Sequence, residues 1–245
     1  MKDPNFALKM LVYGPPGAGK TVFLSTVLEE PSMLPALMLD LEAGTMSIRS
    51  KCAYVDFTNI AKPTQDKLNV LRVARWDDLV KVYDLLWDGS LAYKTVLIDS
   101  LSEINQMNLT HVATKGSMQR PSLKNPAVPE IRDYLISNTT MMEFLRGLRD
   151  LSGVHVIATA LQEAEKTEED MVIQIQPLLS GKLSRRVMGI FDIVGYMSID
   201  AATRKRVLSC QPTAKIIAKD RTEGGKLGAK IENPTFAKVL ELANA

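Results

Sequence analysis

Residues 13–21, YGPPGAGKT, decide the fold of this 245-residue chain. Within nine residues they combine three glycines, two prolines, a lysine and a threonine, directly after the apolar run at 6–12. From residue 14 onward they match the pattern G-x-x-x-x-G-K-[ST] in full. Glycine allows backbone conformations that turn successive N–H groups inward, and the start of a following helix adds a partial positive charge. The stretch therefore predicts a cradle for the phosphates of a nucleotide.

Each part of this phosphate-binding loop has an expected role. Its main-chain N–H groups would contact the phosphates, Lys20 would reach the β- and γ-phosphates as a point charge, and the hydroxyl of Thr21 would ligate Mg²⁺. We therefore expect ATP to bind here together with Mg²⁺. The residues expected to bind the nucleotide are Gly14, Pro15, Pro16, Gly17, Ala18, Gly19, Lys20, Thr21 and Val22.

Strands and helices are predicted to alternate along most of the chain. Apolar runs bounded by turn residues predict strands, and apolar residues that recur every three to four positions predict helices. Such alternation favours an α/β fold with a largely parallel sheet and helices on both faces. The predicted strands are 6–13, 36–41, 95–98 and 154–160, and the predicted helices are 20–30, 77–87 and 131–151.

The C-terminal part has a different pattern. Residues 171–218 predict mostly short strands, so the sheet is expected to become mixed there. Asn233 as a cap and Pro234 at the first helical position predict a final helix that runs to Glu241. Because no internal repeat, low-complexity tract or linker interrupts the sequence, a single domain over residues 1–245 is expected.

Composition argues against several classes of protein. With 46% hydrophobic and 24% charged residues, the chain is predicted to be globular with a sizeable core. Apolar runs are too short for a membrane span and the first four residues are too few and too polar for a signal peptide, so a cytoplasmic protein without a membrane partner is expected. The two cysteines and two histidines form no cluster that would suit zinc, a disulfide framework or a histidine-based triad. A net charge of +2 does not by itself indicate a nucleic-acid partner.

A carboxylate follows directly after the predicted strand 95–98. The sequence TVLIDS places Asp99 at the end of this apolar run. An aspartate at a strand tip near the phosphate-binding loop would orient Mg²⁺ through a water molecule. Thr21 and Asp99 are therefore the expected metal ligands. The next residue is Ser100, so no glutamate stands beside the aspartate.

A second carboxylate follows the predicted strand 36–41. The sequence LMLDLEAGT places Glu42 at its tip. A carboxylate beside the γ-phosphate would orient water for in-line attack, which makes Glu42 the expected catalytic base. Glu103 is a weaker alternative, because a position one helical turn beyond Asp99 suits a residue that balances the helix dipole.

In this order, the segments GPPGAGKT, LDLE and LIDS resemble the motifs of RecA-like P-loop ATPases. GPPGAGKT is also similar to the AAA+ ATPases, whose Walker B strand typically ends in Asp-Glu, where this chain has Ser100. The segments LDLEAGT, VLIDSLSEI and KDR make the chain most similar to the RecA-like single-strand annealing proteins of bacteriophages. The resemblance implies a RecA-like P-loop NTPase fold. Its central sheet would be mostly parallel and twisted, with flanking helices and added antiparallel strands in the C-terminal half.

The resemblance also implies roles for three further residues. Gln162, just after the strand 154–160, matches by position the residue with which RecA-like proteins sense the γ-phosphate. Lys219 and Arg221 match the basic element that crosses to the γ-phosphate of a neighbouring subunit. With Lys20 and Glu42 they complete the expected catalytic set. A finger that acts in trans implies a head-to-tail homo-oligomer, as a ring or a filament.

Two basic segments are candidates for contact with single-stranded DNA. No acidic residue stands between Glu103 and Glu130, where a Gly/Ser/Pro-rich stretch is expected to form a flexible loop along the DNA backbone. The second loop expected from the resemblance, at 163–170, carries five acids and one lysine, which would repel phosphates. Cations from the segment SGKLSRRV would compensate. The candidate DNA-binding residues are Lys115, Arg120, Lys124, Lys182, Arg185 and Arg186.

The expected function is that of an ATPase that binds single-stranded DNA, is stimulated by it, and promotes annealing or strand exchange. A single-strand-binding protein is a further expected partner, and a phage source would place the chain in the cytoplasm of a bacterial host. Three alternatives stay open. A P-loop kinase would transfer phosphate to a small acceptor beneath a mobile lid, and a nucleotide switch would act on a protein partner without needing hydrolysis. An AAA+-like loader would need a helical lid where residues 167–218 predict strands.

Overall fold

The computed structural model describes residues 7–119, 128–166 and 171–244. Within these ranges the chain forms an 11-stranded sheet with α-helices on both faces. The strands are β1 Lys9–Gly14, β2 Ala36–Asp40, β3 Cys52–Val55, β4 Leu68–Arg72, β5 Thr95–Asp99, β6 His155–Lys166, β7 Val172–Pro177, β8 Ile193–Ile199, β9 Arg206–Ser209, β10 Lys219–Asp220 and β11 Ile231–Glu232. The α-helices are α1 Lys20–Ser25, α2 Trp76–Trp87, α3 Leu101–Gln119, α4 Ile131–Arg149, α5 Leu183–Met188 and α6 Phe236–Asn244. Short 3-10 helices span Thr26–Glu29, Pro31–Met33 and Thr45–Lys51.

The sheet is parallel in its centre and antiparallel at one side. Its order is β11-β9-β8-β1-β6-β5-β2-β4-β3, and every pair from β8 to β3 is parallel. The pairs of β9 with β8 and with β11, of β10 with β8 and of β7 with β6 are antiparallel. The predicted fold class, a mostly parallel sheet with helices around it and antiparallel strands added in the C-terminal half, is confirmed.

Two hydrophobic layers bury the central strands from both sides. Alternate side chains of a strand point to opposite faces, so Leu11 of β1 packs in the layer that contains α2, α3, α4 and α5, whereas Met10 packs with α1 and α6. The rings of Phe23 in α1 and Phe236 in α6 lie 4.5 Å apart in the second layer. With every residue of β1 buried, the phosphate-binding loop starts from a rigid strand at the carboxyl edge of the sheet.

The predicted flexible loop after Glu103 is wrong over its first half. Helix α3 continues through Gly116 as far as Gln119, and Lys115 is exposed on this helix. The helix persists because it packs on α4. The buried side chain of Asn108 in α3 donates hydrogen bonds to the carbonyl and the hydroxyl of Ser137 in α4, at 2.8 and 3.1 Å. Tertiary contacts of this kind outweigh the low helix propensity of glycine and serine. The other two candidates in this segment, Arg120 and Lys124, lie outside the described residues.

Several predicted boundaries also shift, among them those of the first helix, one central strand and the final helix. The helix predicted at 20–30 ends as an α-helix at Ser25 and continues in 3-10 geometry. The strand predicted at 154–160 extends to Lys166, because its second half pairs with β7 in a hairpin. The final helix begins at Phe236, since Asn233 has the left-handed φ of 43° and Thr235 accepts the hydrogen bond from the main-chain N–H of Lys238 instead. Among the described helices, none combines the length and apolarity that a membrane crossing needs.

Candidate nucleotide-binding site

The phosphate-binding loop joins β1 to α1 in a conformation that depends on glycine. A Cβ atom on Gly14 would clash with the main-chain carbonyl oxygen of Met197 on the neighbouring strand β8. Gly19, the last residue before α1, has a φ of 94°, a backbone conformation that residues other than glycine rarely adopt. The main-chain N–H of Ala18 donates to the carbonyl of Pro15 and closes the turn. The sequence thus folds into the cradle that its motif predicts.

The side chain of Lys20 binds the inner side of this loop. Its ammonium donates hydrogen bonds to the carbonyls of Gly14 and Pro15, both at 3.0 Å, and the residue is buried. Burial lowers the pKa of Lys20, while the nearby carboxylates of Glu42 and Asp99 oppose this shift. A buried cation with weak neutral partners is well suited to exchange them for phosphate oxygens.

Asp99 is bound by hydroxyl groups from two neighbouring elements. Its Oδ2 atom accepts a hydrogen bond of 2.7 Å from Thr21 in α1, and its Oδ1 atom accepts one from Thr159 in β6. Strand β6 lies between β1 and β5 in the sheet, so Thr159 stands between the loop and the aspartate. Asp99 is only 1% exposed, and burial raises its pKa, while both hydroxyls oppose the shift by stabilising the anion.

The Thr21 hydroxyl and the Asp99 carboxylate are a set of donors that fits Mg²⁺. This ion prefers hard oxygen ligands and binds proteins through one or two side chains, with phosphates and water completing its shell. In the described ranges, no group of three or more His, Cys, Asp or Glu residues offers a separate metal site. When bound between these two side chains and a triphosphate, Mg²⁺ would neutralise charge on the β- and γ-phosphates.

Glu42 faces the same space from the tip of β2. Its Oε1 atom accepts a hydrogen bond of 2.5 Å from the hydroxyl of the buried Ser100. The main-chain N–H of Leu41 donates to the carbonyl of Asp99 at 2.9 Å, which fixes the two strand tips to each other. Ser100 stands directly after Asp99, where the Walker B strand of AAA+ ATPases typically has a glutamate. Its hydroxyl instead binds Glu42, which comes from the neighbouring strand β2.

These groups line one cavity of about 330 Å³ at the carboxyl edge of the sheet. It brings together six of the nine residues expected to bind nucleotide, together with Glu42 and Asp99. Of the remaining three, Gly14 and Pro15 bind the Lys20 ammonium and Ala18 is buried in the turn. The cavity is lined by Pro16, Gly17, Gly19, Lys20, Thr21, Val22, Glu42, Ser47, Asp99, Leu161 and Arg206.

Three of these lining residues were not predicted from the sequence, Ser47, Leu161 and Arg206. Arg206 begins β9, and its side chain lies against Gly19 of the phosphate-binding loop. No local motif marks Arg206, because it meets the loop only through the pairing of β9 with β8 and of β8 with β1. Ser47 lies in the 3-10 helix after Glu42. Ser47 could have been predicted as a lining residue only from its closeness in sequence to Glu42.

Gln162 lies one residue beyond the cavity. Its neighbour Leu161 lines the cavity, whereas the side-chain carbonyl of Gln162 accepts a hydrogen bond of 2.9 Å from the hydroxyl of Tyr196 in β8. Gln162 also pairs with Pro177 at the base of the β6–β7 hairpin. It thus stands between the site and this hairpin, and its role as a phosphate sensor stays a prediction.

Lys219 and Arg221 lie toward the amino ends of the parallel strands, opposite to the edge that carries the phosphate-binding loop. Strand β10 pairs with the amino end of β8, away from the phosphate-binding loop of the same chain. The Lys219 ammonium donates to the carbonyls of Met188 and Phe191, at 3.0 and 2.5 Å, while Arg221 is exposed and pairs with Asp192 at 3.3 Å. Neither reaches the cavity of its own chain, so action on a neighbouring subunit stays a prediction.

The remaining DNA-binding candidates lie on or beside the short helix α5. Lys182 directly precedes it, and Arg185 and Arg186 lie within it, all three exposed. Arg185 forms an ion pair of 3.2 Å with Glu165 of the β6–β7 hairpin. The structure therefore groups three cations, one of which already has an acidic partner, and their contact with DNA stays a prediction.

A comparison with known protein families agrees with this site. The AAA domain family matches residues 7–222 of the chain. Among solved structures, the genome packaging NTPase B204 from Sulfolobus turreted icosahedral virus 2, in complex with AMPPCP, is similar at a TM-score of 0.40 with 10% sequence identity. That similarity covers 82% of this chain and 79% of the viral one, and it is too distant to bear on function. No curated protein matches the chain.

The family match covers most of the chain and includes every residue that lines the cavity. It supports nucleotide binding by the P-loop, and it leaves the resemblance to phage annealing proteins as a hypothesis. The chain belongs to the AAA domain family and is a P-loop NTPase.

Proposed function

We propose that the chain hydrolyses ATP with Mg²⁺ and uses the reaction to promote annealing or strand exchange of single-stranded DNA. The observation that carries the ATPase part is the meeting of three groups in one cavity: the buried Lys20 ammonium, the hydrogen-bonded Thr21–Asp99 pair and the Glu42–Ser100 pair. Phosphoryl transfer requires a cation on the phosphates, ligands for a metal and a base for water, and each has a candidate here.

The proposed mechanism assigns one task to each residue. Lys20 would leave the loop carbonyls and bind phosphate oxygens, which places the γ-phosphate near Glu42. Ser100 holds one oxygen of Glu42, and the other oxygen would accept a hydrogen bond from the attacking water. As the water attacks phosphorus in line, Glu42 takes its proton and the bond to the β-phosphate oxygen breaks, with ADP and phosphate as products.

Support for the DNA part comes from the resemblance and from exposed cations. Lys115 on α3, Lys182 just before α5 and Arg186 within α5 would contact backbone phosphates without sequence preference. Assembly would bring in a neighbouring subunit, and Arg221 is the better candidate for a trans finger because its guanidinium is exposed, whereas Lys219 is bound to carbonyls of its own chain. Such a head-to-tail contact would close into a ring or extend as a filament.

Single-stranded DNA is expected to raise the ATP turnover of the wild-type protein. The test compares ATP turnover of wild type, Lys20→Ala and Glu42→Gln, each with and without single-stranded DNA. Both variants are expected to stay near background under either condition, since each lacks a group that any hydrolytic mechanism uses. Unchanged wild-type turnover on addition of DNA would contradict the coupling to DNA and leave the ATPase proposal standing.

Ser100→Ala is expected to lower ATP turnover about tenfold with little change in nucleotide affinity, because Glu42 loses the hydrogen bond that orients it. The serine acts through Glu42, so its effect should vanish when Glu42 is already glutamine. Turnover and nucleotide binding are measured for the two single variants and the double variant. An equal tenfold loss in both backgrounds would show that Ser100 does not act by positioning Glu42.

The family match favours a second candidate function. A match to the AAA domain family is also compatible with a loader or a nucleotide switch that acts on a protein partner, which are two of the three alternatives that the sequence left open. Under this alternative DNA would not change turnover. A non-catalytic switch would further bind its partner equally well as wild type and as Glu42→Gln, which a pull-down with ATP present would measure once a partner is known.

A further inference from the structure

Arg206 lies directly on the phosphate-binding loop of its own chain. A Cβ atom built on Gly19 would overlap the Nε and Cδ atoms of the Arg206 side chain. Arg206 lines the same cavity as Lys20, Glu42 and Asp99. Gly19 is thus restricted by its φ of 94° and also by an arginine that occupies the space beside it.

The backbone of Arg206 is held firmly in this position. Arg206 pairs with Ile199 of β8, and its carbonyl accepts a hydrogen bond of 2.7 Å from the main-chain N–H of Asn233. The turn that precedes it is closed by Asp200, whose Oδ1 atom accepts from the main-chain N–H groups of Ala202 and Thr203. Because β8 pairs in turn with β1, the sheet itself fixes Arg206 relative to the loop.

The charge of Arg206 is not balanced by a neighbouring carboxylate. The preceding residue, Lys205, pairs with Glu232 at 2.7 Å, but within the described ranges no acidic side chain lies within ion-pairing distance of the Arg206 guanidinium. The carboxylates of the cavity are bound elsewhere, Asp99 to two threonine hydroxyls and Glu42 to Ser100. Arg206 and Lys20 therefore face one cavity as two cations without ion-pair partners, an arrangement that a polyanion stabilises.

We propose that Arg206 binds the triphosphate of the nucleotide in cis. A guanidinium offers a planar fork of N–H donors that matches two phosphate oxygens, and it keeps its charge at any physiological pH. Arg206 would thus be a specificity residue for the phosphate chain, contributed by the subunit that also supplies the loop. The proposal rests on the proposed function only in requiring that this cavity binds a nucleoside triphosphate.

A role in cis separates Arg206 from the residues expected to act in trans. Lys219 and Arg221 lie at the opposite edge of the sheet and would need a neighbouring subunit. Arg206 needs none, so its contribution to nucleotide binding should be present in a monomer. Its effect on affinity should therefore not depend on protein concentration, whereas a contribution from a trans finger would.

The test measures displacement of a fluorescent ATP analogue by unlabelled ATP and, separately, by inorganic tripolyphosphate. Wild type, Arg206→Ala, Arg206→Lys and the control Lys205→Ala are compared at several protein concentrations. For Arg206→Ala we expect affinity for both competitors to fall by about tenfold or more, with an intermediate loss for Arg206→Lys, which keeps the charge but not the fork. Lys205→Ala removes a positive charge from the same hairpin and should leave both affinities unchanged.

Several outcomes would overturn the proposal. Wild-type affinity for ATP in Arg206→Ala would exclude the contact. A weakened affinity for ATP with an unchanged affinity for tripolyphosphate would assign Arg206 to the base or the ribose instead. An equal loss of affinity in Lys205→Ala would show that the effect comes from the overall charge of this hairpin and not from a contact of Arg206. Failure of the wild-type protein itself to bind ATP would overturn the proposed function as well, so the two failures are distinguishable. Arg206 is exposed, and unchanged thermal unfolding would confirm that the variants fold.

Discussion

Glu42→Gln is expected to lower ATP turnover by about 10³-fold while ATP still binds, since a positioned general base contributes about 10²- to 10⁴-fold. Glutamine has nearly the same shape as glutamate, and its side-chain oxygen can still accept the hydrogen bond from Ser100. What it loses is the ability to take a proton from water. Steady-state turnover and equilibrium binding of ATP, measured on the same preparation, separate these two effects.

The matched control for Glu42→Gln is Glu103→Gln. Glu103 is the glutamate nearest to Asp99 in sequence, but it is exposed on α3 and does not line the cavity. We therefore expect its amide variant to turn over ATP like the wild type. Loss of activity in Glu103→Gln together with normal activity in Glu42→Gln would move the catalytic base to α3 and contradict the site as proposed.

The part of the site that depends on local sequence was predictable. The phosphate-binding loop is a continuous motif, and Glu42 and Asp99 each follow an apolar strand. Parallel strands end at the same edge of a sheet, so a β-α-β reading of the chain already places the two carboxylates beside the loop. The structure does bring these residues to one cavity, while their chemical roles stay predictions until they are measured.

Contacts between distant parts of the sequence were not predictable in the same way. Arg206 reaches Gly19 only because β9 pairs antiparallel with β8 and β8 pairs parallel with β1, and register of that kind leaves no trace in a local motif. The continuation of α3 through Gly116 depends on the bonds of Asn108 to Ser137, 29 residues away. The strands β3 and β4 at the outer edge were also missed, because they are short and carry no motif.

The position of Asp99 shows how the fold keeps a buried carboxylate next to the expected metal site. A carboxylate with 1% exposure is costly to ionise, and burial accordingly raises its pKa. Two threonine hydroxyls, from α1 and β6, stabilise the anion at the same time. The result is a charge kept out of solvent and held next to Thr21, where a cation at the phosphates gains most from it.

Asp99→Asn is therefore expected to lower ATP turnover by about 100-fold, in the range found when a residue that supports a metal from its outer shell is lost. Asparagine keeps the volume and can still accept one hydroxyl bond, but it removes the negative charge beside Thr21. The Mg²⁺ concentration needed for half-maximal turnover should rise with it. A titration of turnover with Mg²⁺ at fixed ATP measures both effects.

Asp40→Asn is the matched control for this change. Asp40 is the residue directly opposite Asp99 on β2 and is also buried, but its carboxylate accepts from the main-chain N–H of Gly44 and pairs with Arg72 at 3.6 Å. We expect its amide variant to lose some stability and to keep the Mg²⁺ dependence of the wild type. If both variants raised the Mg²⁺ requirement equally, the effect would come from the summed charge at this edge of the sheet, and Asp99 would have no specific role at the metal.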